Sequence, residues 1–107
     1  MANACIVLTT VGDKQKAEEF AEQMVQRRLA ACVNIVGPIR SVFRWKGSIE
    51  REEEYLLLIK TTSDQASRLG LAFEELHPYD LPERVELSIE AGSESYLGWI
   101  AEEVAGD

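Results

Sequence analysis

Two runs of consecutive apolar residues constrain the fold of this chain more than any other feature. They are Ile6-Val7-Leu8 and Leu56-Leu57-Leu58-Ile59. Both have the composition of β-strands, and successive side chains of a strand point to opposite faces of its sheet. Both faces of the sheet must therefore be covered. A chain of 107 residues fits one domain, expected over residues 1–107, whose helices would cover only one of these faces.

The rest of the sequence predicts the element order β-α-β-β-α-β, followed by a last helix. Strands are expected where β-branched residues cluster or alternate with polar ones, and helices where apolar residues recur at helical spacing. The predicted strands are 5–11, 32–45, 49–59 and 85–89, and the predicted helices run from Asp13 to near Leu29, from Thr62 to Leu76 and from Ser93 onward. This order is that of the split βαβ, or ferredoxin-like, fold, an α+β sandwich.

Local signals add detail to this fold. Gly37-Pro38 interrupts the second strand, where a proline removes a ladder hydrogen bond and favours a bend or bulge. Lys46-Gly47 forms a short turn, so the second and third strands make a long β-hairpin. Thr62, followed three residues later by Gln65, resembles a capping box that starts the second helix.

The second face of the sheet and the overhanging hairpin both favour self-association. The last helix is too short to shield a whole sheet face, and monomers rarely expose apolar patches larger than roughly several hundred Å². The hairpin also leaves strand edges that native proteins usually pair or cover. A further copy of the chain is the simplest cover. The alternative is a tightly packed monomer with scattered exposed leucines.

Charge and composition exclude several classes of function. The chain has 11 Lys and Arg against 19 Asp and Glu, and its net charge of −8 repels nucleic acids and anionic lipids. No apolar run approaches the roughly 18 residues of a membrane span, and Met1-Ala2-Asn3-Ala4 lacks the basic start of an export signal. We therefore expect a cytoplasmic protein with no nucleic-acid or membrane partner. In that reducing compartment Cys5 and Cys32 are expected to be free and buried.

Five groups of residues are recognisable together. They are Ala30-Ala31-Cys32-Val33-Asn34-Ile35, Ser41 with Trp45 and Gly47, Lys60-Thr61-Thr62, His77-Pro78-Tyr79-Asp80 with Pro82-Glu83, and Tyr96-Leu97 with Trp99. In this order and over almost the whole chain, they resemble the signature blocks of the CutA divalent-cation-tolerance family. The resemblance implies a ferredoxin-like protomer, a compact homotrimer joined through its β-ribbons, and a link to tolerance of copper and other divalent cations.

The chain departs from one feature that the resemblance implies. Some members of the family look as though they bind copper through a cysteine at the end of the first strand and two adjacent histidines before the Pro-Tyr turn. The matching positions here hold Thr9, Leu76 and His77, so one of those three ligands is present.

His77 is the only histidine of the chain, and Asp80 and Glu83 follow it closely. With one of these carboxylates, or with residues of an adjacent subunit, His77 would form a nitrogen and oxygen site suited to Cu(II) or Zn. No other cofactor is required. The alternative is structural, because a cationic histidine at the end of a helix can bind the last carbonyl groups and interact favourably with the helix dipole.

Catalytic motifs are missing from the sequence. It contains no nucleophile elbow, no Gly-rich phosphate loop and no two-histidine zinc motif, so we expect no enzymatic activity. Two functions stay open. One is a metal-responsive oligomer, and the other is a trimeric signalling or scaffold module that binds a small metabolite or a partner protein in clefts between subunits.

Several polar and aromatic residues have two interpretations each. Lys60, at a strand end, either faces an anionic ligand or is solvated beside a helix cap. Trp45, Tyr79 and Trp99 either line a cleft or anchor the core or an interface. A run of acidic residues is expected to be a solvated strand start. These residues are Glu50, Glu52, Glu53 and Glu54.

Overall fold

Four strands form an antiparallel sheet against which the helices pack. The computed structural model describes residues 3–105, so residues 1, 2, 106 and 107, at the ends of the predicted domain, lie outside the described part. The elements are β1 (Ala4–Val11), α1 (Lys14–Gln26), β2 (Cys32–Trp45), β3 (Ser48–Thr62), α2 (Ser63–Ala66), α3 (Leu69–Leu76), β4 (Val85–Ser88) and α4 (Glu94–Val104). The strand order is β2-β3-β1-β4. This topology confirms the ferredoxin-like fold predicted from the sequence.

One face of the sheet carries the hydrophobic core. Along β1 every second residue from Cys5 to Val11 is buried, as are Leu57 and Ile59 on β3. The apolar members of this set form one cluster with apolar residues of α1 and α3. At the centre of the helix layer, the rings of Phe20 and Phe73 meet edge to face with 5.2 Å between their centroids. The two helices thus cover the first face.

Helix α1 begins at the predicted residue and ends earlier than predicted. Asp13 caps its start, because the Asp13 carboxylate accepts a backbone hydrogen bond from the first turn at 2.9 Å. The helix ends at Gln26, three residues before the predicted Leu29. The reason is Arg28, whose φ of 57° is left-handed and turns the chain toward β2.

The predicted second helix is wrong in one respect, because it is divided into α2 and α3. Thr62 ends β3 as a buried residue and its side chain makes no cap hydrogen bond. Gln65 does not reach back to Thr62 either, since its amide nitrogen donates to the carbonyl of Val104 in α4. The helix stops at Ala66 and resumes at Leu69. Among residues 3–105, none of the helices is both long enough and apolar enough to cross a membrane.

In the described part of the chain, the second face of the sheet is covered only at one end, where α4 lies near Lys60 of β3. The strand register places a set of apolar residues on the rest of this face, which we call the open face. They are Ile6, Leu8, Val36, Leu56, Leu58, Val85 and Leu87. All four residues of β4 are exposed, because β4 is a short edge strand.

Beyond the sheet, β2 and β3 continue as a two-stranded ribbon. The register shifts between Val36 and Ile39, around Gly37-Pro38, which confirms the predicted bulge. At the tip, Lys46 and Gly47 have φ values of 50° and 84°, and this confirms the predicted turn. The ribbon exposes apolar side chains on both strands. These are Val42, Phe43, Trp45 and Ile49.

The two cysteines lie in different environments. Both are free, Cys5 is buried in the core and Cys32 is only partly buried. Burial, followed by the nearby Glu86 carboxylate, raises the pKa of the Cys5 thiol to about 11. Free thiols were predicted correctly for both cysteines, and full burial only for Cys5.

Two glycines provide a matched test of this packing. A Cβ atom at Gly37 would lie 2.5 Å from the Tyr55 ring and 3.1 Å from the Glu54 carbonyl oxygen, whereas a Cβ at Gly98 of α4 meets nothing within 4 Å. We expect Gly37→Ala to lower the free energy of unfolding by about 1–3 kcal/mol. Gly98→Ala should raise it by about 0.5–1 kcal/mol, because alanine is the better helix former. Urea unfolding at one protein concentration measures both, and equal effects would contradict the packing described at the bulge.

Candidate functional site

His77 follows the last residue of α3, and its ring is turned into the protein. Its backbone N–H donates to the carbonyl of Phe73 at 2.9 Å, and only 8% of the residue is exposed. The imidazole stacks on the Phe73 ring at 5.4 Å and meets the Phe20 ring edge to face at 5.3 Å. The Tyr79 ring closes a third side at 5.2 Å. An apolar aromatic cage therefore surrounds the only histidine of the chain.

Both ring nitrogens of His77 have hydrogen-bond partners inside the protein. The backbone N–H of Tyr79 donates to Nδ1 at 3.1 Å, so Nδ1 carries no proton. In a neutral imidazole the proton then lies on Nε2, which donates to the hydroxyl oxygen of the fully buried Thr9 at 2.9 Å. The ring is thus fixed in one tautomer by β1 on one side and by the turn after α3 on the other.

Tyr79 extends this network to the base of the ribbon. Its hydroxyl donates to Oε2 of Glu54 at 2.7 Å, and Glu54 is only 7% exposed. Burial, followed by the hydrogen bond to Glu54, raises the pKa of Tyr79 above its usual value. Gly12 provides the space, because a Cβ at that position would lie 2.9 Å from the Tyr79 hydroxyl oxygen. Thr9, His77, Tyr79 and Glu54 form a chain of hydrogen bonds that we call the His77 network.

The His77 network favours the uncharged imidazole. Burial lowers the pKa of His77 below its usual value, and the backbone of Thr10 and the Glu54 carboxylate only partly offset this effect. Glu54 was expected to be solvated with the other acidic residues of its run, and that expectation is wrong. It is the last acidic residue before the apolar part of β3, which is the one sequence signal for its burial.

The three predicted metal ligands lie in different environments. His77 is buried, whereas Asp80 and Glu83 are exposed. Within residues 3–105, no group of three or more His, Cys, Asp or Glu side chains is placed to hold a metal ion. Because both imidazole nitrogens are bonded to protein atoms, these residues do not fit a metal centre without rearrangement. Metal binding by His77, Asp80 and Glu83 stays a prediction.

The alternative prediction was that His77 ends α3 and binds its last carbonyl groups. It is correct only for the backbone N–H of His77. His77 does end α3 through its N–H, but its ring binds Thr9 and Tyr79 and makes no bond to the α3 carbonyl groups. Leu76, at the second histidine position implied by the resemblance, packs against the core. Thr9, at the cysteine position, is the partner of His77. The sequence singled out both residues but did not predict the hydrogen bond between them.

The buried neutral imidazole predicts a specific dependence of stability on pH. Because the folded-state pKa lies below the unfolded value of 6.5, the unfolded chain binds the additional proton as the pH falls. The free energy of unfolding should therefore be highest above that value and fall as the pH is lowered from about 7.5 to about 5.5, where carboxylates change little. Urea unfolding across this range measures the effect. His77→Gln should remove most of the slope, and an unchanged slope would contradict this assignment.

The fold and the site together define a class of protein. It is a small ferredoxin-like α+β protein with an overhanging β-ribbon, an apolar open face and a buried histidine-tyrosine-carboxylate network. The network is part of the packing, because Thr9, Glu54 and His77 are buried and Tyr79 is partly buried.

Comparisons with known proteins identify the family. Residues 5–103 match the family model described as CutA1 divalent ion tolerance protein. The chain is 43% identical over 97 residues to a divalent-cation tolerance protein CutA of Thermus thermophilus, covering 91% of this chain and 94% of that protein. The chain therefore belongs to the CutA1 divalent ion tolerance family, as its sequence blocks predicted.

A second relative and a solved structure agree with this result. A CutA homolog of Xenopus laevis is 42% identical over 86 residues, which cover 80% of this chain and 57% of that longer protein. The chain thus spans little more than half the length of this animal relative. The crystal structure of CutA from Xylella fastidiosa superposes with a TM-score of 0.92 at 36% identity, covering 95% of this chain and 98% of that one.

Proposed function

We propose that this chain is a non-catalytic homotrimer that contributes to tolerance of divalent cations in the cytoplasm. Family membership supports the role in tolerance, since the similar Thermus thermophilus protein is named for divalent-cation tolerance. The two free cysteines are compatible with a reducing compartment. The trimer is the form that the family resemblance implies.

The observation that carries the proposed assembly is the open face. Its central residues lie on β1 and β3, which are the two inner strands of the sheet. Val36, Val85 and Leu87, toward the outer strands, are each almost half exposed. Contiguous apolar surface of this kind marks protein contacts. A second copy brings the same apolar surface, so burial against it stabilises both chains.

The ribbon provides a second contact in the proposed assembly. It extends a molecule whose longest dimension is 44 Å, against 27 and 21 Å in the other directions. Its exposed aromatic residues, Phe43 and Trp45, suit an interface core. A neighbouring copy would both pair the ribbon edges and cover these rings.

A pair of leucine variants tests the assembly. Leu87 lies on the open face and is 47% exposed, whereas Leu71 lies on α3 in the opposite layer and is 75% exposed. Leu87→Glu should reduce the subunit number measured by light scattering, because a carboxylate would be buried at the interface. Leu71→Glu should leave the trimer intact. Circular dichroism checks folding, and a trimer unaffected by Leu87→Glu would contradict the proposed interface.

Direct binding of copper at His77 is a more specific claim than a role in cation tolerance. The sole imidazole and the net charge of −8 favour a cation, but a metal at His77 would have to replace the hydrogen bond to Thr9 or to Tyr79. We therefore propose that the role in tolerance does not depend on His77 as a metal ligand.

Two measurements test this part of the proposal. Calorimetric titration with Cu(II) should give the same stoichiometry for the wild-type protein and for His77→Gln. Growth on Cu(II) of a bacterial strain that lacks its own CutA-family gene should be restored equally by both forms. Stoichiometric binding that is lost in the variant would contradict the proposal and identify His77 as a ligand. A protein that fails to restore growth would contradict the role in tolerance itself.

A further inference from the structure

Among residues 3–105, Lys60 is the one cation that the strand register places on the open face. It lies on β3, with Cys32 of β2 opposite it on one side and Ile6 of β1 on the other. Its side chain is partly buried, and Nζ lies 5.6 Å from the centre of the Tyr96 ring of α4. The next residue of β3 on the same face is Leu58. The ammonium group therefore lies at the margin of an apolar surface, beneath an aromatic ring.

No carboxylate in the described part of the chain forms an ion pair with this ammonium group, although acidic residues outnumber basic ones. The ion pair found in residues 3–105 joins Arg27 to Glu75 on the helix layer. The contact of Lys60 with Tyr96 is worth about 0.5–1 kcal/mol at an exposed site. This is less than the cost of removing an ammonium from water, which is several kcal/mol. If a further copy covers the open face, as proposed above, an anion beside Lys60 would offset this cost.

Two aromatic rings stand beside this cation. Tyr96 and Trp99 lie on α4 with 5.5 Å between their ring centres and an angle of 31° between their planes. They remain 41% and 39% exposed. Asn34, on the neighbouring strand and the same face, adds an exposed amide. A few polar groups beside apolar and aromatic surface are the usual composition of a small-molecule site.

We propose that Lys60, Tyr96 and Trp99 form a binding site for a small aromatic carboxylate. The Lys60 ammonium binds the carboxylate in a charge-assisted hydrogen bond, and the planar body of the ligand packs on the exposed rings of Tyr96 and Trp99. The site offers one ammonium group, and the chain as a whole has a net charge of −8. A ligand with one negative charge therefore suits the site better than a polyphosphate. The site goes beyond the role in cation tolerance, and the argument for an anion at Lys60 rests on the proposed assembly that covers the open face.

Trp99 provides the readout of the experiment. The chain has two tryptophans, so Trp45→Phe leaves Trp99 as the only one. In this background, benzoate is titrated while Trp99 fluorescence is recorded, and light scattering gives the subunit number of the same samples. We expect a saturable change with benzoate. Benzamide, which has the same ring and no charge, should bind at least about tenfold more weakly.

Variants of two lysines separate the site from general ring stacking. Lys60→Met should weaken benzoate binding at least about tenfold, and Lys60→Arg, which keeps the charge, should retain it and guards against misfolding of the first variant. Lys46 is the matched control, because its Nζ lies 5.7 Å from the Trp45 ring at the tip of the ribbon, and Trp45→Phe keeps an aromatic ring at that position. Lys46→Met should leave benzoate binding unchanged.

Three results would overturn the proposal. They are no saturable response to benzoate below about 10 mM, an equal response to benzamide, or unchanged binding after Lys60→Met. A Lys60→Met protein with altered subunit number, in a background that does not bind benzoate, would assign Lys60 to a contact with a carboxylate of another copy. None of these results changes the expected behaviour of the Cu(II) and growth experiments.

Discussion

The central strand β3 is apolar on both faces, and the rest of the structure depends on this constraint. It pairs with β1 on one side and β2 on the other. Leu57 and Ile59 are fully buried in the core beneath α1 and α3, while Leu56 and Leu58 point to the open face. Because hydrophobic burial is the main favourable contribution to folding, a strand of this kind requires a layer on each side. Within residues 3–105 the protomer supplies one layer and the end of a second, and the proposed assembly would supply the rest.

Periodicity in the sequence predicted this architecture because the periods of strands and helices differ and the turn residues are explicit. It did not predict the break between α2 and α3. The apolar residues Ala66, Leu69 and Phe73 keep helical spacing across the break, so the pattern alone continues. The break goes with a contact distant in sequence, since Gln65 bonds to Val104 and is not available for a local cap. Local rules give no information about such a partner.

The residues of the candidate site were largely predictable from the sequence, but the hydrogen bonds between them were not. His77 was identified because it is the only histidine, and Thr9 because it occupies a position that the family resemblance made notable. Their hydrogen bond joins residues 68 positions apart, and the bond from Tyr79 to Glu54 spans 25. A carboxylate in an acidic run has the composition of a solvated strand. Its burial follows from the tyrosine that covers it, which only the folded chain brings near.

The position of Glu54 has a mechanical consequence. Glu54 pairs with Ile39, the first residue after the bulge, so it lies where the ribbon leaves the sheet. The carboxylate of Glu54 is bonded to Tyr79, whose backbone is in turn bonded to His77. The base of the ribbon is therefore hydrogen-bonded to the turn that forms part of the aromatic cage. A movement of the ribbon at its base would therefore have to stretch or break the hydrogen bond between Glu54 and Tyr79.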